Sequence, residues 1–198
     1  MPWTASLELV DKEATLWLNQ TLTTPWTDPF WAFVTDKYTW FPVYAILLAY
    51  VIWRVGWKKA LVLTAAVALA VVIADQGAGL VKHASERLRP CHDPWMLDHG
   101  VELPIGATKG LFGFFSAHAA NAFAIIMTLL VGLRTVRPGK EKGLIWGGFV
   151  MAFLVSVSRI AVARHFLGDI LVGAAFGTAV GLLLGLAARY AIRRFLPD

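Results

Sequence analysis

The chain has 198 residues, of which 58% are hydrophobic, and its mean hydropathy of +0.62 is high for a soluble protein. Several apolar runs are long enough to cross a bilayer, which takes ~20 residues. Composition therefore excludes an ordinary soluble domain and predicts one integral membrane domain. The net charge of +5 reports membrane orientation and not nucleic-acid binding, and the single cysteine, Cys91, excludes an intramolecular disulfide.

The first 36 residues predict helices that lie along the membrane surface. Residues 4–22 alternate apolar and polar side chains at helical spacing, with the acidic residues Glu8, Asp11 and Glu13 away from the apolar side. This pattern is typical of an amphipathic helix in the membrane interface. The aromatic-rich run that follows predicts a short second interfacial helix.

Apolar runs predict five spanning helices, at residues 39–55, 60–83, 116–136, 143–163 and 168–190. Short connections make neighbouring helices antiparallel, so the predicted fold is all-α: a membrane helical bundle with an amino-terminal interfacial helix. Residues 1–198 are predicted to form a single membrane-embedded domain, with interfacial helices in 1–36 and the spanning bundle in 39–190.

Basic residues cluster on one side of the predicted bundle. They are Arg54, Lys58 and Lys59 in the first connection, Arg134, Arg137, Lys140 and Lys142 in the third, where Glu141 is the one acid, and Arg189, Arg193 and Arg194 in the tail. By the positive-inside rule this side is cytoplasmic. The opposite end, with the long connection 83–115, is predicted to face the periplasm or the cell exterior of a bacterial inner membrane.

A pair of cations marks the outer end of the second spanning helix. Lys82 and Arg89 are seven residues apart, which is two helical turns, so they project from nearly the same face before Pro90 stops the helix. Two fixed charges on one face can hold an anion. Basic side chains that reach toward lipid headgroups are the plainer interpretation of this stretch taken by itself.

Two further polar segments reach the same end of the bundle. One is Ser116-Ala117-His118, at the start of the third spanning helix. The other comprises Arg159, His165 and Asp169, between the fourth and fifth helices. Because antiparallel packing brings the outer helix ends together, the three segments are predicted to line one pocket.

The residue types in this predicted pocket suit a phosphate group. The guanidinium groups of Arg89 and Arg159 can bind phosphate oxygens through two hydrogen bonds each, and Lys82 adds a point charge. Ser116 stands at a helix amino terminus, where backbone N–H groups and the helix dipole favour an anion. The three cations and Ser116 are therefore the predicted phosphate-binding residues.

Two histidines supply the predicted chemistry. Asp169 is four residues after His165, so its carboxylate can hold one imidazole nitrogen and leave the other as a nucleophile or base. His118 is a second imidazole, able to protonate a leaving oxygen. Together these groups predict phosphoryl transfer through a histidine.

At these residues the chain resembles the type 2 phosphatidic acid phosphatases, a group similar to vanadium haloperoxidases and bacterial acid phosphatases. The family motifs are Lys, six residues, Arg-Pro; then Pro-Ser-Gly-His; then Ser-Arg, five residues, His, three residues, Asp. The first and third are met in full by Lys82, Arg89, Pro90, Ser158, Arg159, His165 and Asp169. In the second, Ser116 and His118 match, while Phe115 and Ala117 replace proline and glycine.

The resemblance implies a role for each motif residue. His165 attacks phosphorus to form a phosphohistidine, and Asp169 orients its imidazole. His118 protonates the departing oxygen and later activates water. Lys82, Arg89 and Arg159 bind the phosphate oxygens with Ser116, and neither a metal nor another cofactor is expected.

Other polar residues lie near the motifs in the sequence. His83, Glu86, Arg87 and Arg164 are interpreted as possible headgroup contacts or solvated surface. Asp75 lies seven residues before Lys82, and a structural hydrogen bond between helices is favoured over proton transfer. The spacing of His92 and His99 fits no metal site.

The sequence thus predicts an integral membrane lipid phosphatase that acts at the outer leaflet on a lipid entering sideways between helices. Undecaprenyl diphosphate is the first predicted substrate, and phosphatidylglycerol phosphate, phosphatidate and the lipid A 1-phosphate stay open. The predicted partners are this lipid and the bilayer, without nucleic acid or an obligate protein partner. The alternatives are a non-catalytic protein that binds anionic lipid, and a small transporter that uses Asp75.

Overall fold

The computed structural model describes residues 3–104, 110–134 and 142–196. Its helices are α1 Trp3–Leu22, α2 Asp28–Thr35, α3 Phe41–Val55, α4 Trp57–Ser85, α5 Pro94–Asp98, α6 Ala117–Leu133, α7 Lys142–Ala161 and α8 Leu167–Phe195. Short 3₁₀ turns occur at Lys37–Trp40 and Pro90–His92. Within the described ranges there is no β-strand, and the predicted all-α membrane bundle is confirmed.

The five predicted apolar helices are present as α3, α4, α6, α7 and α8. Three stretches are long and apolar enough to cross a bilayer: Lys37–Val55, Trp57–Ser85 and Leu167–Phe195. Ala117–Leu133 and Trp146–Ala161 are shorter apolar helices. The largest difference from the predicted bounds is at α8, which ends at Phe195 because no glycine or proline interrupts it after Gly185. The predicted end of the third helix, 135–136, lies outside the described residues.

Helices α6 and α8 contact each other through their backbones. The glycines of α8 that face α6 recur at every fourth position, as Gly173, Gly177, Gly181 and Gly185. A Cβ atom at Gly177 would lie 2.0 Å from the carbonyl oxygen of Ala120. Small residues permit such close approach between helices in a membrane. This contact fixes the start of α6 against the start of α8.

Helix α4 packs on this pair through a stripe of alanines. Ala70, Ala74 and Ala78, one turn apart, are fully buried and share a cluster with Ala120 of α6 and Val180 of α8. Because α4 then runs on to Ser85, it carries Lys82 to the same end of the bundle as the starts of α6 and α8. We call this the site end.

The described basic residues of the connections and tail lie at the end of the bundle opposite the site end. Arg54 ends α3, Lys58 and Lys59 begin α4, and Arg134 follows α6. Arg193 and Arg194 occupy the last turn of α8. Arg137, Lys140 and Glu141, which the orientation prediction also used, lie outside the described residues.

Helix α1 packs at the site end with its polar face on the protein. Thr15 and Asn19 are fully buried, whereas Trp17 is 65% exposed. The Asn19 side-chain amide donates hydrogen bonds to the backbone carbonyls of Ile160 and Ala161, at 3.2 and 3.1 Å. The outward apolar face is what a helix in the lipid interface requires.

Candidate active site

A cavity of about 380 Å³ opens at the site end, between the α2–α3 segment, α4, α6 and α7. Its basic, acidic and imidazole side chains are Lys37, Asp75, Lys82, Arg89, His118, Arg159, Arg164 and His165. The three sequence segments predicted to converge therefore all contribute to its wall. Five cations against one acid make the cavity a site for an anion.

His165 lies in the turn between α7 and α8 and is 2% exposed. Its Nδ1 is 3.3 Å from Oδ2 of Asp169, which is fully buried in the first turn of α8. The same carboxylate oxygen accepts a hydrogen bond from the Phe166 backbone N–H at 3.0 Å. The Asp169 carboxylate therefore both caps the start of α8 and orients the His165 imidazole.

Burial sets the charge state of His165. Desolvation lowers the pKa of its imidazole well below the ordinary value, and the positive charges of Arg159 and Lys82 lower it further. A hydrogen bond with the Gly113 backbone acts in the opposite direction. The imidazole is therefore neutral near pH 7, which is the form that can act as a nucleophile.

The turn that carries His165 is tied to Arg159 through the main chain. The N–H groups of Arg164 and His165 both donate to the carbonyl oxygen of Arg159, at 2.9 and 3.2 Å. Ala163 adopts φ = 51°, which turns the chain back toward the cavity. The Arg159 guanidinium and the His165 imidazole consequently reach the cavity from one rigid turn.

The guanidinium of Arg159 is buried, with 5% of the residue exposed. Nη1 donates a hydrogen bond to Oγ1 of Thr35, and within the described chain Nε has no hydrogen-bond partner. A buried cation with an unused donor beside a polar cavity suits an anionic ligand, which would supply the missing acceptor.

A loop segment at residues 110–113 positions Arg89. Leu88 and Phe112 form an antiparallel bridge, and Nε of Arg89 donates to the Phe112 carbonyl oxygen at 2.9 Å. A Cβ atom at Gly113 would lie 3.0 Å from Cγ of Arg89 and 3.4 Å from Oδ2 of Asp169. Glycine at this position therefore lets the first and third motifs approach each other.

The second motif starts α6 and contributes His118 to the cavity. Ser116 is fully buried and caps the helix, since its hydroxyl accepts a hydrogen bond from the Ala119 N–H at 3.4 Å. Its own N–H donates to the Asp169 carbonyl oxygen at 3.0 Å. Ser116 therefore links the second motif to the third from behind the cavity wall, and a phosphate contact from it stays a prediction.

The two departures from the second motif are accommodated by packing. Phe115 is 4% exposed, and its ring centroid lies 5.1 Å from that of Phe176 on α8. Ala117 is 9% exposed and lines the cavity. The aromatic ring thus replaces proline by burying itself against α8.

The four predicted headgroup residues occupy different places. Arg164 lines the cavity, whereas His83 and Glu86 are exposed at the end of α4 and are not part of its lining. Arg87 is turned away from it and forms ion pairs with Asp169 and Asp11, at 2.7 and 2.6 Å.

The prediction that Asp75 forms a hydrogen bond between helices is wrong. Within the described residues Asp75 forms no such bond and instead lines the cavity on the same face of α4 as Lys82, two helical turns before it. The residues described also contain no group of three His, Cys, Asp or Glu side chains placed to hold a metal ion. Nδ1 of His99 lies 2.7 Å from the Trp95 carbonyl oxygen in the outer loop.

Sequence reasoning missed several residues of the cavity wall. They are Thr35, Lys37, Trp40, Tyr44 and Asn121. Asn121 offered a signal, because a polar residue one turn after His118 in an apolar helix calls for a partner. Its side-chain oxygen is buried and has no hydrogen-bond partner among the described residues. Thr35 and Lys37 belong to no recognisable motif.

The sequence model of the PAP2 superfamily matches residues 58–193, more than half of the chain. The chain therefore belongs to the PAP2 superfamily, and the resemblance predicted from the three motifs is confirmed. It is a membrane lipid phosphatase, a hydrolase that acts on lipid phosphates.

Two relatives are named lipid A 4'-phosphatase. The protein from Porphyromonas gingivalis is 32% identical over 173 residues, which cover 87% of this chain and 70% of the relative. The protein from Bacteroides thetaiotaomicron is 30% identical over 190 residues, which cover 96% of this chain and 81% of the relative.

Two crystal structures share the fold. A transmembrane PAP2 type phosphatidylglycerolphosphate phosphatase from Bacillus subtilis superposes with a TM-score of 0.68 at 21% identity, over 98% of this chain and 90% of that one. LpxE from Aquifex aeolicus superposes with a TM-score of 0.59 at 25% identity, over 87% and 92%.

Proposed function

We propose that this enzyme hydrolyses a phosphate monoester of lipid A through a phosphohistidine on His165. The 4'-phosphate is the first candidate for the group that is removed. The observation that carries the proposal is the cationic cavity in which His118 and His165 lie among Lys82, Arg89 and Arg159. Such a cavity neutralises the phosphate oxygens and presents one imidazole as nucleophile and another as acid.

The proposed reaction has two steps. In the first, the free nitrogen of His165 attacks phosphorus, the bond from phosphorus to the lipid oxygen breaks, and His118 gives its proton to that oxygen. In the second, His118 takes a proton from water, the water oxygen attacks phosphorus, and the phosphorus–nitrogen bond breaks to release inorganic phosphate. Asp169 holds the other nitrogen of His165 throughout.

Three cations hold the phosphate in this scheme. Arg159 contributes the Nε that has no partner within the described chain, and Lys82 and Arg89 line the same cavity. Because the nucleophile is an imidazole, no metal-bound hydroxide is needed, and the reaction is proposed to proceed without a metal.

An apolar groove supports a lipid as the substrate. The groove has a volume of about 540 Å³ and is lined by Leu47 and Leu48 of α3, Val67 and Val71 of α4, and Leu129 of α6, among others. Tyr44 and Asn121 line both the groove and the cationic cavity. A phosphate in the cavity can therefore carry its hydrocarbon chain sideways into the groove, within the bilayer.

The names of the relatives favour a lipid A phosphate. Two of them, each at least 30% identical, are named for the 4'-phosphate of lipid A. Undecaprenyl diphosphate is the second candidate, since Lys37 and Arg164 add positive charge to the cavity that suits a second phosphate group. Phosphatidylglycerol phosphate and phosphatidate are the remaining substrates to compare.

The site is proposed to face the periplasm from the inner membrane. The described basic residues that lie opposite the site end, such as Lys58, Lys59 and Arg193, support this orientation by the positive-inside rule. A fluorescent protein that matures in the cytoplasm, fused after Asp198, is expected to fluoresce. A dark fusion on a well-expressed protein would reverse the orientation.

Phosphate release by the purified protein tests the proposal. The panel contains lipid A, undecaprenyl diphosphate, phosphatidylglycerol phosphate and phosphatidate, each with and without a metal chelator. Release is expected from the 4' position of lipid A and is expected to survive chelation. His165→Ala should abolish it, and His118→Ala should lower it by about 10²–10⁴-fold. His99→Ala is the matched control, because that histidine lies in the outer loop.

Each contrary outcome removes a defined part of the proposal. Release from undecaprenyl diphosphate but not from lipid A would replace the substrate. Activity of His165→Ala equal to wild type would remove the phosphohistidine. Loss of activity with the chelator, restored by a divalent cation, would remove metal independence.

A further inference from the structure

Arg87 joins the catalytic carboxylate to the amino-terminal helix. Its Nη1 donates to Oδ1 of Asp169 at 2.7 Å, and its Nη2 donates to Oδ2 of Asp11 at 2.6 Å. The guanidinium lies 4.2 Å from the ring centroid of Phe166 and 5.9 Å from that of Phe114. A cation held between two carboxylates and two rings has one well-defined position.

The two carboxylate oxygens of Asp169 have different hydrogen-bond partners. Oδ2 faces His165 and the Phe166 N–H, whereas Oδ1 accepts from Arg87. Asp169 is fully buried, so an oxygen without a donor would be an uncompensated charge inside the protein. Arg87 therefore decides whether this carboxylate keeps its charge and its orientation toward the imidazole.

Helix α1 holds the other side of this arrangement. Oδ1 of Asp11 accepts from the Gly168 N–H at 2.7 Å, and Oγ1 of Thr15 accepts from the Leu167 N–H at 2.9 Å. These are two N–H groups of the first turn of α8, which have no partner inside their own helix. Helix α1 thus caps the helix that carries Asp169 and fixes Arg87 at the same point.

On the basis of the proposed function, we infer that Arg87 is a positioning residue, which orients His165 through Asp169 and is itself anchored by Asp11 of α1. Arg87 lies outside the lining of the cavity, so it does not bind the phosphate. Its first-motif neighbour Arg89 does line the cavity. The two arginines, two residues apart, consequently have different kinetic signatures.

The test compares kcat, KM and inhibition by inorganic phosphate for the detergent-purified full-length enzyme, with the lipid of the four-member panel above that it hydrolyses fastest as the substrate. Arg87→Gln is expected to lower kcat by about 10²-fold, since loss of an orienting carboxylate in a comparable triad costs about 10⁴ and Arg87 acts one contact further away. The inhibition constant for phosphate should stay within about twofold of wild type, whereas Arg89→Gln should raise it about tenfold or more.

Conservative variants separate positioning from folding. Arg87→Lys keeps the charge without the two-pronged geometry and should recover part of kcat. Asp11→Asn keeps the Arg87 side chain but weakens its anchor, and it should lower kcat about five- to tenfold. Gly168→Ala should act in the same direction, because its Cβ would lie 2.8 Å from Oδ2 of Asp11. Glu8→Gln, which removes the ion pair between the exposed Glu8 side chain and Lys12 on the same helix, is the matched control with unchanged kcat.

The outcomes are distinguishable. Wild-type kcat in Arg87→Gln, or a raised phosphate inhibition constant with kcat preserved, would overturn the positioning role. If the Arg87 variants fail to fold, wild-type kcat in both Asp11→Asn and Gly168→Ala would overturn it as well. A wild-type enzyme inactive on every lipid phosphate would instead refute the proposed function.

Discussion

Replacing Gly177 by alanine is expected to separate the two halves of the active site. In the structure the added Cβ would lie 2.0 Å from the carbonyl oxygen of Ala120, whereas ordinary contact begins near 3.4 Å. Because the atom it meets belongs to the backbone of α6, no side chain can rotate away. The two helices must therefore move apart by about 1.4 Å, the difference between these distances.

The magnitude follows from packing and from geometry. Overpacking of this kind costs about 1–3 kcal/mol of unfolding free energy, which lowers Tm by roughly 2–12 °C in a chain of this size. The same shift moves His118 on α6 away from His165 beside α8. A misplacement of about 1 Å lowers the rate about 10²-fold. The N–H to carbonyl bond from Ser116 to Asp169, now 3.0 Å, would lengthen as well.

Thermal unfolding in detergent and phosphate release from the lipid substrate measure both effects. Gly79→Ala is the matched control, since it adds the same methyl to α4 where nothing lies within 4 Å of the new Cβ. It should keep activity and gain about 0.5–1 kcal/mol from helix propensity. A Gly177→Ala protein with the Tm and kcat of wild type would refute the backbone contact between α6 and α8.

Three other properties can be measured on the same protein. Burial lowers the pKa of His165, and the neutral imidazole is the reactive form. As far as this group is concerned, kcat/KM should therefore rise as pH passes upward through that pKa and stay level from pH 6.5 upward. A midpoint of the acid limb at or above pH 6.5 would contradict this. Ala68→Trp should fill the apolar groove, abolish hydrolysis of the long-chain lipid and spare a water-soluble phosphate ester, whereas Leu186→Trp on the outer face of α8 should change neither. Gly113→Ala should raise KM about tenfold by displacing Arg89, and an unchanged KM would count against Arg89 as a phosphate ligand.

The sequence was sufficient for features that depend on local spacing. Apolar runs predicted the spanning helices. The interval of four residues between His165 and Asp169 predicted their contact, which the structure contains at 3.3 Å, although His165 lies in the turn before α8 and not on a helical turn with Asp169. The glycines of α8 also repeat every fourth residue, which marks a face for close packing. The glycines contact the backbone of α6 near Ala120. Their spacing does not predict this partner, because the partner depends on how the helices are arranged.

Features that depend on contacts between residues far apart in the chain could not be predicted from the sequence. Arg87 was interpreted as a headgroup contact or solvated surface, because its partner Asp11 is 76 residues away in the chain. Helix periodicity placed Asp75 and Lys82 on one face but did not reveal that this face borders a cavity and not another helix. Likewise, an amphipathic pattern in α1 does not say which side meets lipid. Its polar side meets the protein, since Thr15 and Asn19 are fully buried.

The placement of α1 gives this enzyme a mechanical connection to its surroundings. Its outer side chains, such as Trp17, are exposed, while its inner face reaches Asp169 through Asp11 and Arg87. The amphipathic pattern predicts that α1 lies in the membrane interface, and there lateral pressure would act on the same helix that orients the nucleophile. Transfer from micelles to bilayers of increasing headgroup crowding should change turnover in the wild type and much less in Asp11→Asn.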